Sequence, residues 1–316
     1  IATCLANPLY ANLTEAAGGG LTRNMSGSYD AWTGTAGLQW KPDSDTNAYV
    51  RYSRGYKSGG WVGSNGLTPY PYAAPEYVNN YEIGLKKTFA RRLQINSSLF
   101  YADYQGFQAP LTVVLNQTTG STGTQFLNLD SVNWGAEIEA QWAPIDNLQV
   151  FGSYAYLNTE LQTGCCYVDT SDPKALKSGA HPTGTVLANG SKPQTLVGNS
   201  LPMTPENKVN LGANYTLMFD KGNLTLGVTS TYTGDMQTTV FAQSGYTAPA
   251  NTITDLRALW KGAGDKYTVI GYVKNVTDEV AYQSSSLSAA TAAGTLRNTV
   301  KLNFPRTFGV EVQYRF

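Results

Sequence analysis

Connections of two lengths take turns along this chain, and that ordering limits its fold more than any single motif does. Stretches that alternate apolar and polar residues are joined first by a polar turn of about four residues, then by a loop of roughly fifteen to fifty. The turns are Pro42-Asp43-Ser44-Asp45, Ala90-Arg91-Arg92, Pro144-Ile145-Asp146-Asn147, Asp220-Lys221-Gly222-Asn223 and Gly262-Ala263-Gly264-Asp265. The loops fall near 57–75, 105–125, 158–204, 235–250 and 277–302. A period of two means strands, because successive side chains leave opposite faces. Sequential antiparallel strands then place every turn at one end and every loop at the other. A transmembrane barrel is built this way, with short periplasmic turns and long extracellular loops. A soluble β-sandwich, the competing arrangement, has no reason to sort its loops by end.

The alternation itself is regular. Trp32, Gly34, Ala36, Leu38 and Trp40 share a face, against Thr33, Thr35, Gly37, Gln39 and Lys41. Val132, Trp134, Ala136, Ile138, Ala140 and Trp142 oppose Asn133, Glu137, Glu139 and Gln141. Val209, Leu211, Ala213 and Tyr215 oppose Lys208, Asn210, Gly212 and Asn214. The last strand alternates from Phe308 and ends on an aromatic, Phe316. In a barrel the apolar faces meet lipid, the polar faces line a wet lumen, and aromatics sit at the membrane–water boundaries. The expectation is an all-β, antiparallel, up-and-down transmembrane barrel. Glu82, Glu137, Glu139, Asp255, Arg257 and Glu311 are expected to face the lumen.

Composition narrows the alternatives. Lysine plus arginine equals aspartate plus glutamate at 22 each, so nothing electrostatic favours nucleic acid as a partner. No run approaches the ~18 apolar residues of a transmembrane helix, a limit that does not touch barrel strands. The opening IATCLANPLY has neither a basic segment nor an apolar core, so it is not a signal peptide. Residues 1–30 are rich in Gly, Asn and Thr and are expected to form an extracellular loop. The strand count is about eleven, whereas single-chain bacterial barrels have an even number. An open strand edge in lipid leaves backbone groups unsatisfied, at several kcal/mol each. The expectation is therefore the carboxyl-terminal part of a longer barrel, its amino-terminal half supplied elsewhere.

Several fragments then carry a family resemblance. They are Tyr49-Val50-Arg51-Tyr52-Ser53-Arg54-Gly55-Tyr56-Lys57-Ser58-Gly59-Gly60, Pro75-Glu76 and Tyr81-Glu82-Ile83-Gly84-Leu85-Lys86. Phe100-Tyr101-Ala102-Asp103-Tyr104, Gly135-Ala136-Glu137-Ile138-Glu139, Pro202-Met203-Thr204-Pro205-Glu206, Asn275-Val276-Thr277-Asp278-Glu279 and Pro305-Arg306-Thr307-Phe308-Gly309 follow. In order and spacing, over roughly residues 30–316, these resemble the barrel of a TonB-dependent receptor. The resemblance implies a 22-stranded barrel, of which about eleven strands are here. No stretch resembles the family's plug domain or TonB box. It also implies active uptake of a scarce nutrient, most often a ferric siderophore, across the outer membrane of a Gram-negative cell. TonB is the implied partner, acting on a plug, and outer-membrane lipid and lipopolysaccharide are the implied surroundings. A passive porin-type channel and a surface-binding barrel are the alternatives.

Ligand-site candidates sit where two neighbouring loops meet. Lys57, Trp61, Tyr70 and Tyr72 lie in or beside the first, and Tyr104, Phe107 and Gln108 open the second. Together they offer an aromatic wall with a cation beside it, suited to an anionic ring-bearing ligand. Tyr167, Phe241 and Tyr246 are further loop aromatics, open to a ligand-stacking or a packing role. Enzymatic chemistry has little support. The one histidine, His181, lies in a Gly- and Pro-rich loop, and nothing points to a metal or cofactor. Glu137 and Glu139 share a face but are expected to be solvated or ion-paired. Of Cys4, Cys165 and Cys166, the adjacent pair is a strained choice for a bridge, so one of them is expected to reach Cys4 or another segment.

Overall fold

The alternating stretches become strands of a single sheet. The structure, a computed structural model, describes residues 13–15, 21–23, 25–61, 72–116, 121–289 and 296–315. Its main strands are β1 Gly34–Asp43, β2 Thr46–Lys57, β3 Glu76–Phe89, β4 Leu93–Asn116, β5 Ser121–Ile145 and β6 Leu148–Leu161. They continue as β7 Asn207–Phe219, β8 Gly222–Thr233, β9 Asn251–Gly262, β10 Tyr267–Lys274 and β11 Thr307–Tyr314. All eleven are antiparallel and each pairs with its sequence neighbours, so the sheet runs from β1 at one edge to β11 at the other.

Register carries the two faces across the sheet. Leu38, Val50, Ile83, Leu99, Ala136 and Tyr156 are directly opposite one another from β1 to β6. Leu38, Val50, Ile83 and Leu99 in this row are solvent-exposed, as are Ile138 and Leu211 on the same face. The other face is polar and holds the Arg51–Glu82 ion pair, with Tyr49 Oη donating to Glu82 Oε1 at 2.5 Å. Four aromatic rings on this polar face each lie over a glycine directly opposite: Tyr49 over Gly84, Phe100 over Gly135, Phe151 over Gly212 and Tyr272 over Gly309. A Cβ at any of the four glycines would collide with the ring. The hydrogen atom is what lets the ring lie flat on the backbone.

The region expected as a loop at 105–125 is largely strand. β4 and β5 remain paired from Leu93↔Trp142 up to Asn116↔Ser121, well past the other hairpins. A bulge between Tyr104 and Phe107 permits this, with Gly106 at φ 69°, where a side chain would be strained. Gly106 N donates to Asp130 Oδ1 at 2.8 Å, and Asn128 Nδ2 donates to Gly106 O at 2.7 Å. Other expected loops also contain short ladders. Gly60–Trp61 pairs with Tyr72–Ala73, Met236–Gln237 with Thr247–Ala248, and Tyr282–Ala289 with Leu296–Leu302. Within the expected first loop, Leu13–Glu15 pairs with Leu21–Arg23.

Beyond the bulge a core forms. Ala109, Leu111, Leu127 and Leu129 on the β4–β5 hairpin pack with Leu161, Leu196, Leu201, Val240, Phe241 and Tyr246. The last five of these come from the β6–β7 connection, 162–206, and the β8–β9 connection, 234–250. Each fully buried leucine contributes roughly 1.5–3 kcal/mol relative to exposure. These two connections are therefore folded segments anchored to the hairpin. Cys165 and Cys166 are joined to each other within the first. That replaces the expected link to Cys4, which lies outside the described residues. Neighbouring sulfurs are the ones the chain itself holds within reach.

Candidate functional site

The strand ends β2 and β3 bring the first group of candidates together. Lys57 is directly opposite Glu76 in the ladder, and Lys57 Nζ lies 3.5 Å from Glu76 Oε2. Glu76 is only 6% exposed and collects further donors. Tyr104 Oη donates to its Oε1 at 3.3 Å, and Gln108 N donates to its Oε2 at 2.7 Å. The Gln108 side chain donates to Ser58 O and Ala74 O, both at 2.9 Å, which fastens the 58–75 connection to the β4–β5 hairpin. Glu76 is the hub that the sequence reading left out of the site. It faces Lys57 across the mouth of the loop, a pairing that only the β2–β3 register discloses.

The aromatics form two pairs. Trp61 and Tyr72 are cross-strand partners with ring centroids 5.5 Å apart, and both are exposed. Tyr104 and Phe107 meet edge to face at 5.8 Å across the bulge. Phe107 also packs against the buried core. Tyr70 lies outside the described residues. The charge of Lys57 is already answered by Glu76, so the group offers ring faces and amide chemistry more than a spare cation. Phe241 and Tyr246 are buried, at 4% exposure each, and Tyr167 packs against the same core. The packing role is theirs.

A buried carboxylate holds that core's polar centre. Asp169, in the 162–206 connection, accepts from Tyr246 Oη at 2.8 Å, from Gln243 Nε2 at 3.2 Å and from Ser171 N at 2.8 Å. Gln243 Nε2 also donates to Gln194 Oε1 at 3.1 Å. Burial raises the Asp169 pKa above its ordinary value, with the Asp172 charge adding to the rise and the donors opposing it. Burial also raises the Tyr246 hydroxyl. Asp169, Ser171 and Gln194 belong to 162–206 and Gln243 and Tyr246 to 234–250, so the network clasps the two connections together.

On the polar face lower down, Glu137 and Glu139 line a hollow of about 430 Å³ with Tyr49, Arg51, Glu82 and Lys86. His181 is exposed on the 162–206 connection.

A sequence model described as the TonB-dependent receptor-like β-barrel matches residues 11–276. The chain belongs to the TonB-dependent receptor β-barrel family. That family is one of outer-membrane receptors and transporters, not of enzymes. Its apolar row from Leu38 to Tyr156 is therefore the outer face and its Arg51–Glu82 row the inner one. Among solved structures, the chain is similar to the ferric yersiniabactin uptake receptor FyuA from Yersinia pestis, with a TM-score of 0.66 at 16% identity. That match covers 90% of this chain and 37% of the receptor. The siderophore receptor PiuA from Acinetobacter baumannii matches with a TM-score of 0.61 at 17% identity, over 89% of this chain and 35% of the other. The ferric-catecholate import receptor Fiu from Escherichia coli K12 matches with a TM-score of 0.56 at 19% identity, over 95% and 37%. The chain thus spans little more than a third of the length of these receptors, and at such identities the likeness is one of fold.

Proposed function

We propose that this chain is part of an outer-membrane receptor that takes up a ferric siderophore or another scarce nutrient in a TonB-dependent step. Its strands would form the carboxyl-terminal part of the barrel, embedded in outer-membrane lipid and lipopolysaccharide. The other strands and a plug would come from the remainder of the receptor. The observation that supports the ligand class is the pair of ring contacts at the loop end of β2–β5, Trp61 with Tyr72 and Tyr104 with Phe107. Flat conjugated ligands stack on such faces, and each contact is worth about 0.5–1.5 kcal/mol. Lys57, Tyr104 and Gln108 are gathered around Glu76 beside them, which gives a ligand polar contacts at a fixed distance from the rings.

The test is uptake by iron-starved cells of radiolabelled ferric catecholate and ferric hydroxamate complexes, compared for the parent and the Trp61→Ala/Tyr72→Ala double variant. Loss of both rings is expected to weaken binding by about tenfold to a hundredfold with no change in barrel assembly. Unchanged affinity for every transported complex would remove these rings from the site.

A further inference from the structure

The ladder that carries Trp61 and Tyr72 is too short to place itself. It has the rungs Gly60↔Ala73 and Trp61↔Tyr72, and an isolated hairpin of that size is marginal in water. Its position comes from one rung of the neighbouring β4–β5 hairpin, Gln108↔Asn128. The bulge between Tyr104 and Phe107 creates that rung, because it turns Gln108 to the side on which Asn128 lies. Asn128 is half-buried and commits its whole amide to backbone. Its Oδ1 accepts from Ala74 N at 2.8 Å, and its Nδ2 donates to Ala74 O at 2.8 Å and to Gly106 O at 2.7 Å. One side chain thus pairs both backbone groups of Ala74, as an adjacent strand would. Ala74 directly follows the ladder strand Tyr72–Ala73, and Ala73 is buried. Gln108 takes the other end of the same connection by donating to Ser58 O, and it shares Ala74 O with Asn128.

We infer that Asn128 is a positioning residue for the ring site, fixing where Trp61 and Tyr72 stand relative to Tyr104 and Phe107. This rests on the ligand reading given above and adds what sets the geometry of that site. Asn128 is bonded to the segments of both ring pairs: to Ala74, beside Tyr72, and to Gly106, between Tyr104 and Phe107. It acts through the rings and not on the ligand, since both its amide hydrogens go to backbone carbonyls. The place needs two donors and one acceptor from a short side chain, which asparagine supplies. Aspartate has the same shape and could still accept from Ala74 N. Its carboxylate would then face the carbonyl oxygens of Ala74 and Gly106 with no hydrogen to offer them, so the ladder would be released at that end. A ligand would have to order the rings itself on binding, at a cost in affinity.

The full-length receptor in detergent would be titrated with the ferric catecholate and ferric hydroxamate complexes. The proteins compared are the parent, Asn128→Ala, Asn128→Asp, the Trp61→Ala/Tyr72→Ala variant, and each Asn128 change combined with that variant. Each Asn128 change is expected to weaken binding about tenfold in the parent and to cost nothing further once the rings are gone. An unrelated structural role would add its cost in both backgrounds. Asn128→Asp keeps the side chain's size, so it should fold even if Asn128→Ala does not, and heat-modifiable migration reports the folded barrel. A second readout needs no iron complex: acrylamide quenching of Trp61, taken as the difference from the matching Trp61→Phe protein, should rise in Asn128→Asp. If ring removal weakens binding, parental affinity in folded Asn128→Asp, or a cost that persists in full without the rings, would overturn the inference. Unchanged Trp61 quenching would overturn it in any case. If ring removal leaves affinity as it was, the ligand reading is what falls, and the quenching alone decides whether Asn128 places the rings.

Discussion

The two halves of β5 carry opposite patterns. From Val132 to Trp142 the apolar residues Val132, Trp134, Ala136, Ile138, Ala140 and Trp142 lie on the outer face, and the inner face holds Asn133, Glu137, Glu139 and Gln141. From Gln125 to Ser131 the arrangement reverses. Leu127 and Leu129 point to the inner side and are buried, while Asn128 and Asp130 lie on the outer side and bond backbone of the bulge. One strand thus serves two solvents. Where lipid surrounds the sheet, apolar groups must face out and no core is needed. Where water surrounds it, apolar groups must be covered, and the connections 162–206 and 234–250 cover them from within. The change falls at the Tyr104–Phe107 bulge, which shifts β4 by one residue so that Phe107, Ala109 and Leu111 join the inner side.

The largest expected effect separates the halves by where damage appears. Leu161 and Leu196 are fully buried in the core beyond the bulge. Leu161→Ala should cost about 2–5 kcal/mol of local stability through lost burial and a residual cavity. Hydrogen exchange in 162–206 and 234–250 is expected to accelerate while the urea midpoint of the barrel strands stays put. A joint fall of both would mean that the two regions unfold as one unit and that the contrast is false.

The next effect is comparable but falls on the barrel. Ile138→Arg and Leu211→Arg place a charge on the outer face and should each destabilise insertion by about 2–4 kcal/mol near the bilayer midplane. Asn210→Arg and Glu139→Gln, on the inner face one residue away, should be mild. Folding titrations into lipid vesicles measure the difference. Equal tolerance at neighbouring positions would show that the facing is wrong.

These halves were also unequally legible. Period-two patterning exposed the membrane half because lipid demands it on every strand from β1 to β11. The half beyond the bulge reads as loop in the sequence because the bulge breaks the period. An unbroken strand would group Tyr104 with Gly106, Gln108 and Pro110, a set with no apolar face. The partners that complete the core, Leu196, Val240 and Phe241, come from stretches with no period at all. For the same reason Phe241 and Tyr246 looked available to a ligand, although burial claims them. In the candidate site, Lys57, Tyr104 and Gln108 were legible because they flank two adjoining loops. Glu76, which ties them together, becomes visible only once the β2–β3 register is known.

The smallest expected effect concerns what holds the half beyond the bulge shut. Asp169 sits among Tyr246, Gln243 and Ser171 N with the Asp172 charge nearby, and burial raises its pKa above the ordinary 3.8. A raised acid binds protons more readily in the folded state than in the opened one. Stability of the clasp is therefore greatest below the ordinary value and falls as pH rises toward the raised one, then levels off. The membrane half has no part in this network, so its stability should not follow the same curve. Hydrogen exchange in 162–206, corrected for the intrinsic pH dependence of exchange, should show more frequent opening at pH 8 than at pH 4. In Asp169→Asn the difference should vanish, because the amide cannot ionise, and Gln243 can turn its free Oε1 toward the new NH2 group. A pH dependence that survives the substitution would assign it to another group. One that runs the other way would mean that Asp169 is stabilised as the anion, and that its hydrogen bonds outweigh its burial.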